Sequence, residues 1–345
     1  MGFTQVRRRF ARQMLALGAV VVAAGTAACG GGPDSGPTPL PAAPAITCPS
    51  DISTKGVTGG GQAVSYPAPV TTGGSAPVTT SCSPVSGSTF PIGTTAVSCT
   101  ARDSAARQAT CSFAVTLSAT TLTATKFLAF GDSVTEGQNG RTIGGFRVVD
   151  VPNSYPTKLQ GLFDFEFPGQ GIVVTNHGQG GVTLEEAVKT LGPMLDAEHP
   201  DGLLILHGYN DLGVCPPGSG NSPTCKTAIQ SVVNKLRECV QIAREPKHAV
   251  RYIFVSTLTP PGPAPATPDR RRDAGAITQT NTGIRQMVSS EGVVLVDPHP
   301  AFLGHEAEYV DIDGLHLRPA GNDVLANNFF VAIKRVVPAN LLFRF

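Results

Sequence analysis

The sequence predicts an α/β domain built on a five-stranded parallel sheet, preceded by a smaller all-β module. Beyond Thr121, short apolar runs alternate with amphipathic stretches, the pattern of strands covered by helices on both faces. Polar, chemistry-bearing residues fall just past the ends of those runs, where reacting groups gather in open parallel sheets. From Ala45 to about Ala119, by contrast, apolar residues alternate with period two, and Gly- and Ser-rich turns separate the runs.

Composition bounds the function. The 345 residues suffice for two domains, and a hydrophobic content of 41% can fill a sizeable core. A net charge of +1, with 15% charged residues, gives no electrostatic footing for nucleic acid. Residues 1–28 stand apart from the fold. Arg7, Arg8, Arg9 and Arg12 make a positive n-region, and Leu15 to Ala28 is an apolar run too short to span a bilayer comfortably. The segment reads as an export signal, with a membrane anchor as the alternative. It also resembles a twin-arginine signal, although Val6 stands where Ser or Thr is usual. Thr26-Ala27-Ala28-Cys29 resembles a bacterial lipobox, which implies lipidation at Cys29 and attachment to the cell envelope. Plain cleavage and secretion with a free Cys29 is the other outcome. Residues 29–44, rich in Gly and Pro, read as a flexible linker.

In the first module Val97, Cys99 and Ala101 alternate, as do Cys111, Phe113, Val115 and Leu117. So small a unit buries little surface and leans on disulfides. Its four cysteines, Cys48, Cys82, Cys99 and Cys111, leave three pairings open, and their spacing does not suit a metal. The segments Cys48–Ile52, Gly87–Gly93 and Ala109–Phe113 resemble a hyalin (HYR) repeat, an immunoglobulin-like sandwich, over residues 45–119. That resemblance implies the pairs Cys48–Cys111 and Cys82–Cys99, and a spacer or adhesion unit that touches cell-surface glycan or protein.

The second module covers residues 123–345. Its expected strands are Lys126–Phe130, Gly171–Asn176, Gly202–Leu206, Tyr252–Leu258 and Val293–Val296. Thr183-Leu184-Glu185-Glu186 is a capping box that opens a helix. Thr227 to Glu245 carries Ile229, Val232, Val233, Leu236, Val240 and Ala243 on one stripe, and Pro319 to Val337 is a helix with Pro at its start.

The first strand runs into Phe130-Gly131-Asp132-Ser133, the second into Gly178-Gln179-Gly180-Gly181, and the third into Gly208-Tyr209-Asn210-Asp211. Near the C-terminus comes Asp311-Ile312-Asp313-Gly314-Leu315-His316. A bare serine hydroxyl is a poor nucleophile until a base takes its proton, so Ser133 needs partners of this kind. The four blocks, in this order, resemble the SGNH hydrolases, the GDSL lipase/esterase family, from about Thr123 to Val337. The resemblance implies a flavodoxin-like three-layer fold and a serine esterase acting on short-acyl or carbohydrate-linked esters, small-molecule or glycan. Lipase and acyltransferase are alternatives within the family; a non-enzymatic surface adhesion protein is the alternative outside it. By the same resemblance Ser133 is the nucleophile, His316 the base and Asp313 the carboxylate that orients it. The oxyanion hole falls to the backbone N–H groups of Ser133 and Gly181 and the side-chain amide of Asn210. Neither a metal nor a cofactor is expected.

Other residues draw plainer readings. Asp132 and Asp211 are expected to hold turns, Asp311 is a rival to Asp313, and Asp297-Pro298-His299 is a strand-end turn. His177 and His207 read as satisfied sheet histidines, and Cys239 as a buried small apolar residue. Cys215 and Cys225 are expected to pin the loop after Asn210 with a disulfide. Pro260 to Arg272 is expected to be a loop at the catalytic edge that shapes the acyl or leaving-group pocket, with its arginines in solvent and contact with an anionic substrate as the alternative.

Overall fold

The structure is a computed structural model that describes residues 41–57, 59–264 and 269–341. The export signal, Cys29 and most of the linker lie outside the described residues. Residues 1–42 and 43–345 separate into two units, and the account below concerns the second.

The first module is all β. Strands β1 (Ile52–Val57), β2 (Thr79–Ser83), β3 (Gly93–Arg102) and β4 (Gln108–Leu122) share one sheet, with β3 antiparallel to both β2 and β4 and β1 parallel to β4. Short antiparallel pairs, Ala45–Thr47 with Val70–Thr72 and Gln62–Ala63 with Thr89–Phe90, complete it. The period-two reading holds here because one face is buried: Val97, Cys99, Phe113, Val115 and Leu117 point into a core with Phe90 and Tyr66. Cys82 and Cys99 are directly opposed on β2 and β3, and Cys99 opposes Cys111 on β4. The bonds Cys82–Cys99 and Cys48–Cys111 therefore join a single row across the sheet.

Strand β4 does not stop at Ala119. It continues to Leu122, and Leu122 and Ala124 already belong to the second core. Gln170 fixes this junction, accepting from the Leu122 N–H at 2.9 Å and donating to its carbonyl at 2.5 Å.

Five parallel strands form the second sheet: β5 (Lys126–Gly131), β8 (Val173–Gly178), β9 (Gly202–Leu206), β10 (Tyr252–Ser256) and β11 (Val294–Val296). Their order is β8-β5-β9-β10-β11, the flavodoxin-like arrangement, so β5 and β9 meet where the order reverses. Central strand β9 reads Gly-Leu-Leu-Ile-Leu and is buried throughout, as a strand covered on both faces must be. Helices α2 (Tyr155–Glu166) and α6 (Pro319–Val336) pack together, and Tyr155 stacks on Phe329 while Phe163 stacks on Phe127 of β5. Helices α3 (Leu184–Glu198), α4 (Pro223–Ala243) and α5 (Ala274–Glu291) pack in series.

Four features depart from the sequence reading. Helix α4 begins four residues early, because Ser222 caps it by accepting from the Cys225 N–H and Pro223 occupies the first turn. Helices α2 and α5 were not anticipated. Neither was the hairpin β6 (Gln138–Ile143) and β7 (Phe146–Val149) between Ser133 and α2. Finally, strand β12 (Ala339–Leu341) returns to pair antiparallel with the end of β4, so the chain's C-terminal strand joins the first module's sheet. Among the described residues, no helix is long and apolar enough to cross a membrane.

Candidate active site

Ser133 opens a single helical turn, α1 (Ser133–Glu136), at the carboxyl end of β5. Asp132 caps that turn by accepting from the Val134 N–H at 3.2 Å. Its other oxygen accepts from the Tyr209 N–H at 3.2 Å, tying the turn to the segment after β9. The structural reading of Asp132 stands on these two bonds. Gly131 is required for a steric reason: a Cβ there would lie 2.0 Å from Thr135 Oγ1 and 2.2 Å from the Leu206 carbonyl oxygen. Strands β5 and β9 can thus approach only through a glycine.

The structure brings Ser133, His316 and Asp313 into one hydrogen-bonded line. His316 Nε2 lies 2.8 Å from Ser133 Oγ, and Nδ1 lies 2.5 Å from Asp313 Oδ2. The second oxygen of Asp313 accepts from the backbone N–H groups of Leu315 at 3.1 Å and His316 at 3.0 Å. This local loop is why a spacing of three residues suffices. All three side chains are buried, at 2% exposure or less. Burial pushes the Asp313 carboxyl pKa up, but bonds from the imidazole and the two backbone N–H groups outweigh it and hold the pKa below the usual value. Asp313 is therefore an anion facing Nδ1, which keeps the proton on that nitrogen and leaves Nε2 to accept from Ser133.

Asp311, the rival carboxylate, is otherwise engaged. Its Oδ2 accepts from the Gly140 N–H at 2.9 Å and its Oδ1 from Ile312 N–H at 2.8 Å. Asp297 likewise bonds Arg285 and Thr257 and stays away from the serine's partners.

The expected oxyanion donors sit on two loops pinned to the Ser133 turn. Gln179 N–H donates to the Gly131 carbonyl at 3.0 Å, and Asn210 Nδ2 donates to the Val182 carbonyl at 2.8 Å. Gly181 lies between these anchors. The bond to Val182 uses one amide proton of Asn210 and fixes the side chain, leaving the second proton for another acceptor. A Cβ at 181 would meet only the Arg147 guanidinium, at 3.8 Å, but φ is +84°, which disfavours any side chain.

Several supports were not legible in the sequence. The Pro260–Arg272 loop grips the acid–base turn through its backbone: Gly262 N–H donates to Gly314 O and Arg270 N–H to Asp313 O, both at 2.9 Å. Arg272, expected in solvent, is half-buried and donates from Nε to the Tyr209 carbonyl at 2.7 Å and from Nη1 to the Arg270 carbonyl at 2.7 Å. A guanidinium can bridge two backbone segments because it carries five donors in a rigid fork. Arg271 instead pairs with Asp269. The bond Cys215–Cys225 closes the loop after Asn210, and Asp273 N–H donates to the Cys215 carbonyl, joining that loop to the start of α5. Asp211 accepts from Leu184 N–H at the start of α3, a structural role as expected. Cys239 is buried, and burial pushes its thiol to about 12.

His177 has a partner, Glu198 at 3.2 Å. His207 does not fit the reading of a satisfied sheet histidine: it is buried and neither ring nitrogen has a hydrogen-bond partner among the described residues. Its Nδ1 lies 3.8 Å from Asp132, too far for a bond, and burial lowers its pKa. Position 207 lies just past the end of β9, against the Phe130 ring and near Asp132, a setting that sequence alone could not reveal.

With this geometry in view, residues 129–324 match the GDSL-like lipase/acylhydrolase family. The chain belongs to that family. It is accordingly a carboxylic ester hydrolase, and residues 41–117 ahead of it match the HYR domain. Similar solved structures include a lipase/acylhydrolase from Enterococcus faecalis, at 20% identity and a TM-score of 0.47 over 62% of this chain and 97% of that one. An acetylxylan esterase from Geobacillus stearothermophilus is 22% identical, with a TM-score of 0.45 over 61% of this chain and 94% of that one. A carbohydrate acetylesterase from Sinorhizobium meliloti is 15% identical, with a TM-score of 0.47 over 61% and 98%. The assignment rests on the family match, which spans more than half of the GDSL-like chain, and not on these distant likenesses. No curated protein sequence matches.

Proposed function

We propose that this member of the family is an exported serine esterase that cleaves short-acyl and carbohydrate-linked esters through an acyl-enzyme on Ser133. The unbroken line from Asp313 through His316 to Ser133 Oγ is the observation that carries the reading. Ser133 attacks the ester carbonyl while His316 Nε2 takes its proton, and Asp313 stabilises the imidazolium that results. The tetrahedral oxyanion is held by the N–H groups of Ser133 and Gly181 and by the free amide proton of Asn210. His316 then returns the proton to the leaving alcohol, and water, activated by the same imidazole, releases the acid.

Packing beside the acid–base turn supports a short acyl group. Tyr209, Pro260, Pro261, Ile277 and Leu315 meet beside the acid–base turn with no room for a water molecule between them. A long chain finds no tunnel there, which favours short acyl groups over the lipase alternative. Disulfides and the HYR module point to an oxidising, extracytoplasmic setting. Lipidation at Cys29 and contact of the HYR module with surface glycan or protein complete the proposed picture of a tethered enzyme.

The test is hydrolysis of 4-nitrophenyl esters of two to twelve carbons by the wild type and by Ser133→Ala. The reading expects a preference for acetate and butyrate, and loss of turnover in the variant. Undiminished turnover by Ser133→Ala, or a preference for the longest chains, would overturn it.

A further inference from the structure

A cavity of about 340 Å³ lies between the segment that follows Ser133 and the segment that carries Asp313 and His316. Gly137, on one wall, donates its N–H to the carbonyl of Ser133. Asp311 and Ile312, on the other, immediately precede Asp313. The cavity therefore borders the segments that carry Ser133, Asp313 and His316.

Its chemistry is that of a site for many hydroxyl groups. Arg141, Arg318, Asp150 and Asp311 line it together, with Arg318 Nε 3.8 Å from Asp311 Oδ1, so the walls carry balanced charge and select neither an anion nor a cation. The carboxylates are already held, Asp150 by Asn153 Nδ2 at 2.9 Å and Asp311 by backbone N–H groups. They are fixed in place before any ligand arrives. The guanidinium of Arg141 has no side-chain partner among the described residues and can donate to a ligand.

Asn322 supplies the sharpest sign of a ligand. It lines the cavity, is 4% exposed, and donates from Nδ2 to the Arg318 carbonyl at 3.3 Å. Its Oδ1 has no hydrogen-bond partner among the described residues. Leaving a buried acceptor unpaired is costly, and a ligand donor that moves the covering atoms aside to reach it recovers that cost. Ile312, half exposed on the rim, offers an apolar surface of the kind a ring's C–H face covers. Donors, acceptors and one apolar edge in a cavity of this size match a sugar ring, which has the same mixture.

We propose that this cavity is a saccharide subsite, holding a sugar ring of the ester's alcohol portion through Asn322, Arg141 and Arg318. The proposal rests on the carbohydrate-ester reading above. It is tested on the full chain with acetylated cellotriose, glycerol triacetate and 4-nitrophenyl acetate, comparing kcat/KM for the wild type, Asn322→Ala and Arg141→Ala. Arg141 is exposed, so its variant guards against a folding defect at Asn322. In both variants the ratio of acetylated cellotriose to 4-nitrophenyl acetate should fall about tenfold or more, the scale of a lost hydrogen bond to a charged or buried group. The ratio for glycerol triacetate should hold within about twofold of wild type. An unchanged saccharide ratio overturns the subsite while leaving the esterase reading intact. An equal fall for glycerol triacetate overturns it too, since the cavity would then serve a small polyol. A wild type that cleaves 4-nitrophenyl acetate but no acetylated saccharide overturns the carbohydrate reading itself, and the subsite with it.

Discussion

Replacing Asp313 by Asn tests the proposed division of labour at a single atom. In the wild type, Asp313 Oδ1 accepts from the N–H groups of Leu315 and His316, and Oδ2 faces His316 Nδ1 at 2.5 Å. An amide at 313 must keep its oxygen on the two backbone donors and turn its NH2 toward the imidazole. That NH2 donates, so Nδ1 must accept and the ring proton moves to Nε2. Nε2 then faces Ser133 Oγ across 2.8 Å without a lone pair to receive its proton. A wrong tautomer in a Ser-His-Asp site costs roughly 10⁴ in kcat, as known from serine proteases, or about 5.4 kcal/mol at about 1.36 kcal/mol per decade. Asp311→Asn is the matched control. That carboxylate accepts from the backbone N–H groups of Gly140 and Ile312 and pairs loosely with Arg318 at 3.8 Å, so its loss costs about 1–3 kcal/mol of stability and less than about tenfold in kcat. The assay is 4-nitrophenyl acetate hydrolysis at neutral pH, with far-UV circular dichroism to verify folding. A folded Asp313→Asn enzyme with a tenth or more of wild-type kcat would refute the tautomer argument. So would an equal loss in Asp311→Asn.

Two further expectations follow from the same geometry. Asn210→Ala removes an amide already anchored to Val182 and should lower kcat by roughly 10²–10³ with little change in KM; a variant whose loss lies wholly in KM would count against Asn210 as an oxyanion donor. Acid should destabilise the fold below about pH 4. Burial raises the carboxyl pKa values of Asp201, Asp297 and Asp313, but hydrogen bonds, with a guanidinium neighbour at Asp201 and Asp297 and the His316 imidazole at Asp313, outweigh it and leave all three lowered. A lowered folded pKa gives stability that is present above the unfolded value of about 3.9 and lost as pH falls through the folded value. Thermal melts from pH 7 to pH 3 should therefore drop steeply at the acid end, and Asp201→Asn should blunt that drop. A variant whose drop matches wild type would remove Asp201 from the account.

How much of this was legible in the sequence depended on how local each cause is. The five strands could be read because each is a short apolar run, and β9 in particular is unbroken from Gly202 to Leu206. The Asp313–His316 spacing could be read because its closing bonds lie within four residues. Helix α5 was hidden because its buried stripe includes Thr280 and Asn281. Asn281 faces inward to bond both the N–H and the carbonyl of Leu258, a long-range reason no periodicity displays. Helix α2 was hidden behind the hairpin before it and because the exposed, apolar Phe165 blurs the stripe made by Tyr155, Leu159 and Phe163. The grip of the Pro260–Arg272 loop on Asp313 and Gly314 runs through backbone groups, and these have no residue signature at all. The full length of strand β4 was hidden for a related reason. Strand β4 continues past Ala119 because β12, more than two hundred residues later, pairs with its end.

The central claim is that Ser133 is an activated nucleophile. Reaction of the folded protein with a fluorophosphonate, followed by intact-mass measurement and peptide mapping, tests this most directly. The account predicts one adduct per chain on the peptide that contains Ser133, none in Ser133→Ala, and sharply slower labelling in His316→Ala. An unlabelled wild type, or an adduct on any other residue, would contradict it.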